Sequence, residues 1–266
     1  LRVAELRLHP IKGCGAISLD TLRLDERGPV HDRRWLVVDA SDRFVTQREH
    51  PRLATVRMSL DGDDIIAEAP DRAPLRLPRA GEGEGLREVM VWKDTCVAEE
   101  CGPDARAWFS ELLGDPVRLV VQPTDDADDR PLRTDPDGRE RRTGFADGHP
   151  LLVTNQSSLD DLNHRLKRPV AMDRFRANLV VAGAPAWAED GWSCIAAGDV
   201  EIDLTSPCPR CRVINTDQRT GAFDPEPLRV LAGFRRGDDG GVMFGWNAVH
   251  REAGVLRVGD AVRVGS

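Results

Sequence analysis

Thr205-Ser206-Pro207-Cys208-Pro209-Arg210-Cys211-Arg212-Val213-Ile214-Asn215-Thr216-Asp217 leaves an alternating segment, Asp199-Val200-Glu201-Ile202-Asp203-Leu204, and runs into Gln218-Arg219-Thr220-Gly221. Apolar residues at every second position predict a strand. The two prolines predict a turn after it, and Val213-Ile214 a second strand leading away. The thiols of Cys208 and Cys211 would then sit between strands rather than at a helix N-terminus. Arginines stand between and beside them, and local positive charge favours thiolate, the form that attacks electrophiles or binds a soft metal.

The same period recurs outward in both directions. Arg2 to Leu8, Ile17 to Leu24, Arg34 to Asp39, Ala54 to Leu60 and Ile65 to Glu68 read as strands joined by short turns, with further strands at Leu75 to Leu77, Glu88 to Trp92, Cys96 to Glu99 and Val117 to Val121. Arg43 to Thr46 reads as a strand across a turn from Asp39. Gly102 to Leu113 places Ala105, Trp108, Phe109, Leu112 and Leu113 on one helical face. After Arg142, strands are expected at Pro150 to Thr154, Arg176 to Val181, Arg212 to Asn215, Val242 to Trp246, Gly254 to Val258 and Ala261 to Val264. One helix, Leu159 to Leu166, is expected behind a cap at Ser157 or Ser158. The fold class is therefore mainly β with a few helices (α+β), a small barrel or curled sheet. Pro123 to Arg142 is polar, acidic and arginine-rich, and reads as an interdomain linker or a loop covering a site. It sets the boundary between regions 1–122 and 123–266.

Composition limits the chemistry. A chain of 266 residues can bury one large or two ordinary cores. A net charge of -8 argues against nucleic acid as the main partner and against a basic membrane-binding face, although local arginine clusters can still hold a small anion. No apolar run approaches a membrane span, and the first residues enter a strand rather than a signal peptide. Six scattered cysteines fit a reducing, cytoplasmic setting better than a disulfide framework.

Three fates of the Cys208/Cys211 pair stay open at this point. Structural zinc needs four ligands, and no second pair or spaced histidines complete the set. A redox pair of thioredoxin type expects a helix at the motif. Two unreactive cysteines are the plain alternative. Elsewhere, Pro10-Ile11-Lys12-Gly13-Cys14-Gly15 is a glycine-rich turn whose backbone N–H groups could cradle an anion. Arg33-Arg34 and Arg176 stand at strand starts, where solvated charge is the ordinary reading.

Pro10-Ile11-Lys12-Gly13-Cys14, Asp32-Arg33-Arg34-Trp35 and Val45-Thr46-Gln47-Arg48 resemble the N-terminal β-barrel region of MOSC-domain proteins. Ser158 to Asn163, Arg174 to Val180, Ala188 to Trp192, Pro207 to Cys211, Asp217 to Gly221 and Gly254 to Asp260 resemble the MOSC domain proper. The nearest type is the mitochondrial amidoxime-reducing component and its bacterial counterparts. The resemblance implies an N-terminal β-barrel-like region packed on a β-barrel MOSC domain, with a molybdenum-molybdopterin cofactor between them. It implies Cys211 as the metal ligand and catalytic residue, and Lys12, Arg33, Arg176 and Arg210 as holders of the phosphate and pterin. Gly13, Gly148, His149 and Asn247 fall at other cofactor-contact positions but differ from the animal enzymes. The implied activity is reduction of N-hydroxylated compounds (amidoximes, hydroxylamines, N-oxides), oxygen leaving the N–O bond at the Cys-ligated molybdenum. No cysteine follows Cys211, so the implied electron source is a separate donor protein of ferredoxin or flavoprotein type. At the superfamily level the resemblance also leaves open pyridoxal phosphate binding and a sulfur-carrier role with a persulfide on Cys211.

Overall fold

Side chains on successive strand residues face opposite sides, so a segment of period two can bury one face and leave the other wet. The computed structural model describes residues 1–123, 130–131, 138 and 142–265. Among them strands dominate, with three α-helices, Pro103–Leu113, Gln156–Arg165 and Glu226–Ala232, giving an α+β protein.

An eight-stranded sheet carries the molecule. Its spatial order is Ile17–Leu19, Arg2–Leu8, Leu179–Ala182, Leu151–Asn155, Val242–His250, Val200–Arg210, Cys194–Ala197, Val262–Gly265. Two strands from near the start of the chain therefore share a sheet with six from its later half. Its parallel pair, Leu151–Asn155 with Leu179–Ala182, is bridged by the helix Gln156–Arg165, since parallel neighbours need a crossover. The ladder is not closed, but its ends meet through single contacts. Val3 N donates to the Asp260 carbonyl and Val262 N to the Leu1 carbonyl, both at 2.9 Å. One buried apolar cluster runs from Val3 to Val262, so both halves share a core.

A second sheet joins Trp35–Asp39, Val117–Val121, Asp94–Glu100 and Leu86–Val91. The helix Pro103–Leu113 buries the five residues its periodicity selected and ends at Gly114, in the left-handed region where glycine is free of strain.

Several local expectations fail, each for a tertiary reason. The Cys208/Cys211 motif is not a turn: the strand Val200–Arg210 continues through Pro207, Cys208 and Pro209, paired with Val242–His250 across two register shifts. The prolines fit because the flanking strand Cys194–Ala197 pairs only as far as Asp203, leaving that edge open where an N–H is missing. Arg212–Asn215 is a 3-10 turn rather than a strand, clamped where the Asn215 carboxamide accepts from Leu228 N at 3.0 Å. The helix that supplies Leu228, Glu226–Ala232, has no counterpart in the sequence reading, because it is seven residues long and opens with proline. Arg176 is left-handed after the 3-10 turn Met172–Phe175, so its strand begins only at Leu179. Asn155, not Ser157 or Ser158, caps Gln156–Arg165 by accepting from Ser157 N. Arg43 to Thr46 contributes isolated bridges, Phe44 to Val38 and Arg43 to Met90, rather than a strand.

Most of Pro123 to Arg142 lies outside the described residues. Within it, Arg130–Pro131 pairs with Arg142–Thr143. Buried Arg130 donates to Asp94 at 2.7 Å and to the Ala146 carbonyl at 2.5 Å.

Candidate functional site

The continuing strand and its partner deliver Cys208, Arg210 and Asn247 to one end of the main sheet, where the Asn247 amide donates to Ser206 Oγ at 3.1 Å. The chain then leaves the strand at Cys211, an exposed thiol, whereas Cys14, Cys96 and Cys101 are buried. Three other elements face it. The turn at Lys12-Gly13 reverses through φ +90 at Gly13, a value that suits glycine. Arg33 and Arg176 hold φ values of 48 and 57, rare for residues with a Cβ, and such strain persists where surrounding bonds over-determine it. Those bonds are present: Arg33 donates to Asp32, to Asn178 Oδ1 at 2.9 Å and to the Arg176 carbonyl at 3.1 Å, while Arg176 Nη1 donates to the Cys14 carbonyl at 2.5 Å.

The result is an open cleft of about 920 Å3. Cys211, Lys12, Gly13, Arg33, Gly148, His149, Arg176, Arg210 and Asn247 all line it, so every residue singled out in the sequence reaches one space. Cys208 lines it too, half-buried, with its sulfur accepting from Arg210 Nη1 at 2.9 Å. The two thiols are thus unequal: one is half-buried and tied to an arginine, the other is exposed.

Sequence reasoning missed Asp147, Trp92, Asn178 and Arg48 as parts of this wall. Asp147 pairs with Lys12 and accepts from the Trp92 indole at 2.9 Å. Arg48 stacks on the Trp92 ring at 4.8 Å. Asn178 is fully buried and bonds Arg33, Asp32, the Arg7 carbonyl and Leu152 N. Nothing local marked Asp147 or Trp92, whose partnership spans 55 residues of the chain. The run Thr46-Gln47-Arg48 held a usable signal: Gln47 bonds the Gly13 carbonyl at 2.6 Å and exchanges amide hydrogen bonds with Gln218.

The electrostatics select an anion. Lys12 is balanced by Asp147 and Arg33 by buried Asp32. Arg48, Arg176 and Arg210 make no side-chain ion pair among the described residues. Burial, then the charge of Arg33, pushes Arg176 down to about 10. Its Nη2, the Arg210 Nε and the His149 Nε2 are buried without partners. Unpaired donors of this kind are costly unless a ligand satisfies them. Asp147 is held well below the usual carboxylate range: enclosure alone would raise it, but the Lys12 charge and hydrogen bond, with the Trp92 bond, more than offset that. Burial pushes Cys14 up to about 12, which removes it as a reactive thiol.

Among the described residues no group of three or more His, Cys, Asp or Glu is placed to hold a metal ion. A metal on Cys211 would need its other ligands from a bound group. A soft thiolate beside phosphate-matching guanidinium forks suits a group that carries both a soft metal and an anionic tail.

Comparison with known proteins identifies the family. Residues 1–116 match the MOSC N-terminal beta barrel domain and residues 140–263 the MOSC domain. The chain belongs to the MOSC family. Its MOSC relatives include mitochondrial amidoxime reducing component 2 of Rattus norvegicus, 30% identical over 98% of this chain and 82% of that protein. Mitochondrial amidoxime-reducing component 1 of Danio rerio is 30% identical, covering 98% and 83%, and that of Homo sapiens 30%, covering 98% and 82%. In this MOSC chain the two matched regions interlock at the cleft, through the Gln47–Gln218 amide pair and the bond from Arg176 to Cys14.

Proposed function

We propose that this MOSC protein is a molybdenum-cofactor oxidoreductase that reduces N-hydroxylated compounds such as amidoximes, hydroxylamines and N-oxides. The observation that carries the reading is one accessible thiol, Cys211, facing unbalanced arginines in a single cleft that lacks a protein ligand set of its own. The names of its relatives, amidoxime-reducing components, supply the substrate class.

Cys211 is the ligand to molybdenum. Arg176 and Arg210, with Lys12 and Arg33, hold the phosphate and pterin, while Gly13, Gly148, His149 and Asn247 shape the remaining contacts. The bound group supplies the two-electron chemistry that removes oxygen from an N–O bond. Burial lowers the pKa of His149, so at neutral pH it presents a neutral ring whose unpartnered Nε2 can bond the bound group or the water released. The Lys12–Asp147–Trp92 chain fixes part of the cleft wall, with Arg48 stacked on the Trp92 ring. Electrons come from a separate ferredoxin- or flavoprotein-type donor. We place the protein in the cytoplasm, where its six free cysteines would stay reduced.

Protein purified from a cofactor-producing host should contain near-stoichiometric molybdenum and reduce benzamidoxime when given electrons. Cys211→Ser should lose both. Cys208→Ser should keep the metal, because its sulfur serves Arg210 rather than the open cleft. Equal loss of molybdenum from the two variants refutes the assignment. Cyanolysable sulfur on Cys211 without molybdenum would instead favour a persulfide carrier, a reading its exposure permits.

A further inference from the structure

Arg176 is the one residue common to the cleft and to a second cavity, of about 820 Å3, on its other side. The wall of this second cavity carries Arg7, His9, Arg57, Asp173, Arg176 and Arg219. Arg57 and Arg219 are exposed, and neither makes a side-chain ion pair among the described residues. Arg7 is shared with Glu5 through a bond of 2.9 Å. Arg176 also reaches this wall, its Nη1 held by the Cys14 carbonyl. Against these four guanidinium groups the wall sets one carboxyl, Asp173.

His9 adds a different demand. It is 1% exposed, and its Nε2 lies 3.3 Å from the Ala177 carbonyl. A carbonyl only accepts, so Nε2 carries the proton. Burial and the nearby charges of Arg176 and Arg33 hold the ring neutral, which leaves Nδ1 as a bare acceptor. That Nδ1 is buried without a partner. The cavity therefore sets guanidinium donors beside two acceptors, His9 Nδ1 and the Asp173 carboxyl, that need a proton from the ligand.

We infer that this cavity is a binding site for inorganic phosphate in its dihydrogen form, its arginines taking the anionic oxygens and His9 Nδ1 and Asp173 each accepting from one of the two P–OH groups. Sulfate has the same shape but carries no proton near neutral pH. It would leave both acceptors unpaired beside added negative charge. Nothing in the reading of the cleft is required for this site to exist.

The test is calorimetric titration of the full chain with inorganic phosphate and then with sulfate at pH 7. To separate the cavity from the cleft, Arg210→Gln weakens anion binding in the cleft, and the double variant Arg57→Gln/Arg219→Gln weakens it in the cavity. Phosphate binding should survive Arg210→Gln and fall at least tenfold in the double variant. In Arg210→Gln, phosphate should bind at least about fivefold more tightly than sulfate, the minimum expected from leaving one buried acceptor unpaired. Asp173→Asn, a change that supplies a donor where the ligand needs an acceptor, should narrow that preference. Phosphate binding unchanged by the double variant overturns the proposal, as does sulfate binding equal to phosphate, which would mark an adventitious ion only.

Discussion

Replacing Asn178 by alanine removes four hydrogen bonds at one fully buried point. Its Oδ1 accepts from Arg33 Nη1 at 2.9 Å and from Leu152 N at 3.2 Å, and its Nδ2 donates to the Arg7 carbonyl at 3.2 Å and to Asp32 Oδ1 at 3.1 Å. These ties join the strand Arg2–Leu8, the Asp32-Arg33 turn and the strand Leu151–Asn155, so the residue closes the seam between the two halves. Each partner left short costs about 1–3 kcal/mol, but Asp32 and Arg33 keep each other, so the four do not add in full. The expected loss is about 3–5 kcal/mol, which at this chain length lowers Tm by roughly 10 °C. Thermal unfolding followed by circular dichroism measures it. Asn178→Asp supplies a second check: it keeps the acceptor for Arg33 but sets a carboxylate against Asp32, so it should recover stability as pH falls toward 4. A loss below about 1 kcal/mol for Asn178→Ala would refute the claim that this network, rather than the shared apolar core, holds the seam.

Other perturbations follow from the same geometry. The depressed pKa of Asp147 means that its stabilising contribution is present above the ordinary carboxylate value near 4 and is lost as pH falls toward the folded value. Denaturant-unfolding stabilities of wild type and Asp147→Asn between pH 3 and 7 should therefore begin to approach each other below about pH 4, by a small amount because Asp147 is exposed, and parallel curves would contradict the pairing with Lys12. Glu189 is the opposite case. Burial raises its pKa despite bonds from Ser158 and Asn155, and its Oε1 has no partner. The unfolded chain ionises first, so stability should fall as pH rises from about 4.5, and Glu189→Gln should abolish that slope. Phe244 is fully buried and stacks on Phe175 at 3.8 Å, so Phe244→Ala should cost about 3–5 kcal/mol in an unfolding titration. It should also weaken anion binding in the cleft, because the Phe175 carbonyl anchors Arg210; unchanged anion affinity would break that link.

Much of the fold was legible because its causes are local. Period-two alternation found most strands, and the face of Pro103–Leu113 appeared residue for residue. The site was legible in part: the residues named from motif resemblance line one cleft, Arg48 and Asn178 lay in quoted runs without being singled out, and Asp147 and Trp92 gave no usable local sign. Their roles come from contacts such as Trp92 to Asp147, 55 residues apart, and Asn178 to Asp32, 146 apart. The misread segments show the same limit. Pro207 and Pro209 read as a turn because their missing N–H groups argue against a ladder, yet one edge of that strand is open and the ladder continues on the other.

The sequence by itself determined the β-rich class, the first helix, the cysteine motif and the wealth of arginine. Each depends on neighbouring residues, through pleat, helical period or side-chain type. Only the tertiary structure decided that Cys208 and Cys211 differ. The continued pairing of Val200–Arg210 with Val242–His250 ties Cys208 to Arg210, and the chain leaves that ladder at Cys211 with its thiol exposed. Only the tertiary structure, too, left Arg176 and Arg210 without carboxylate partners among the described residues. Charge balance depends on which side chains meet in space, and that depends on packing between residues as distant as Cys14 and Arg176.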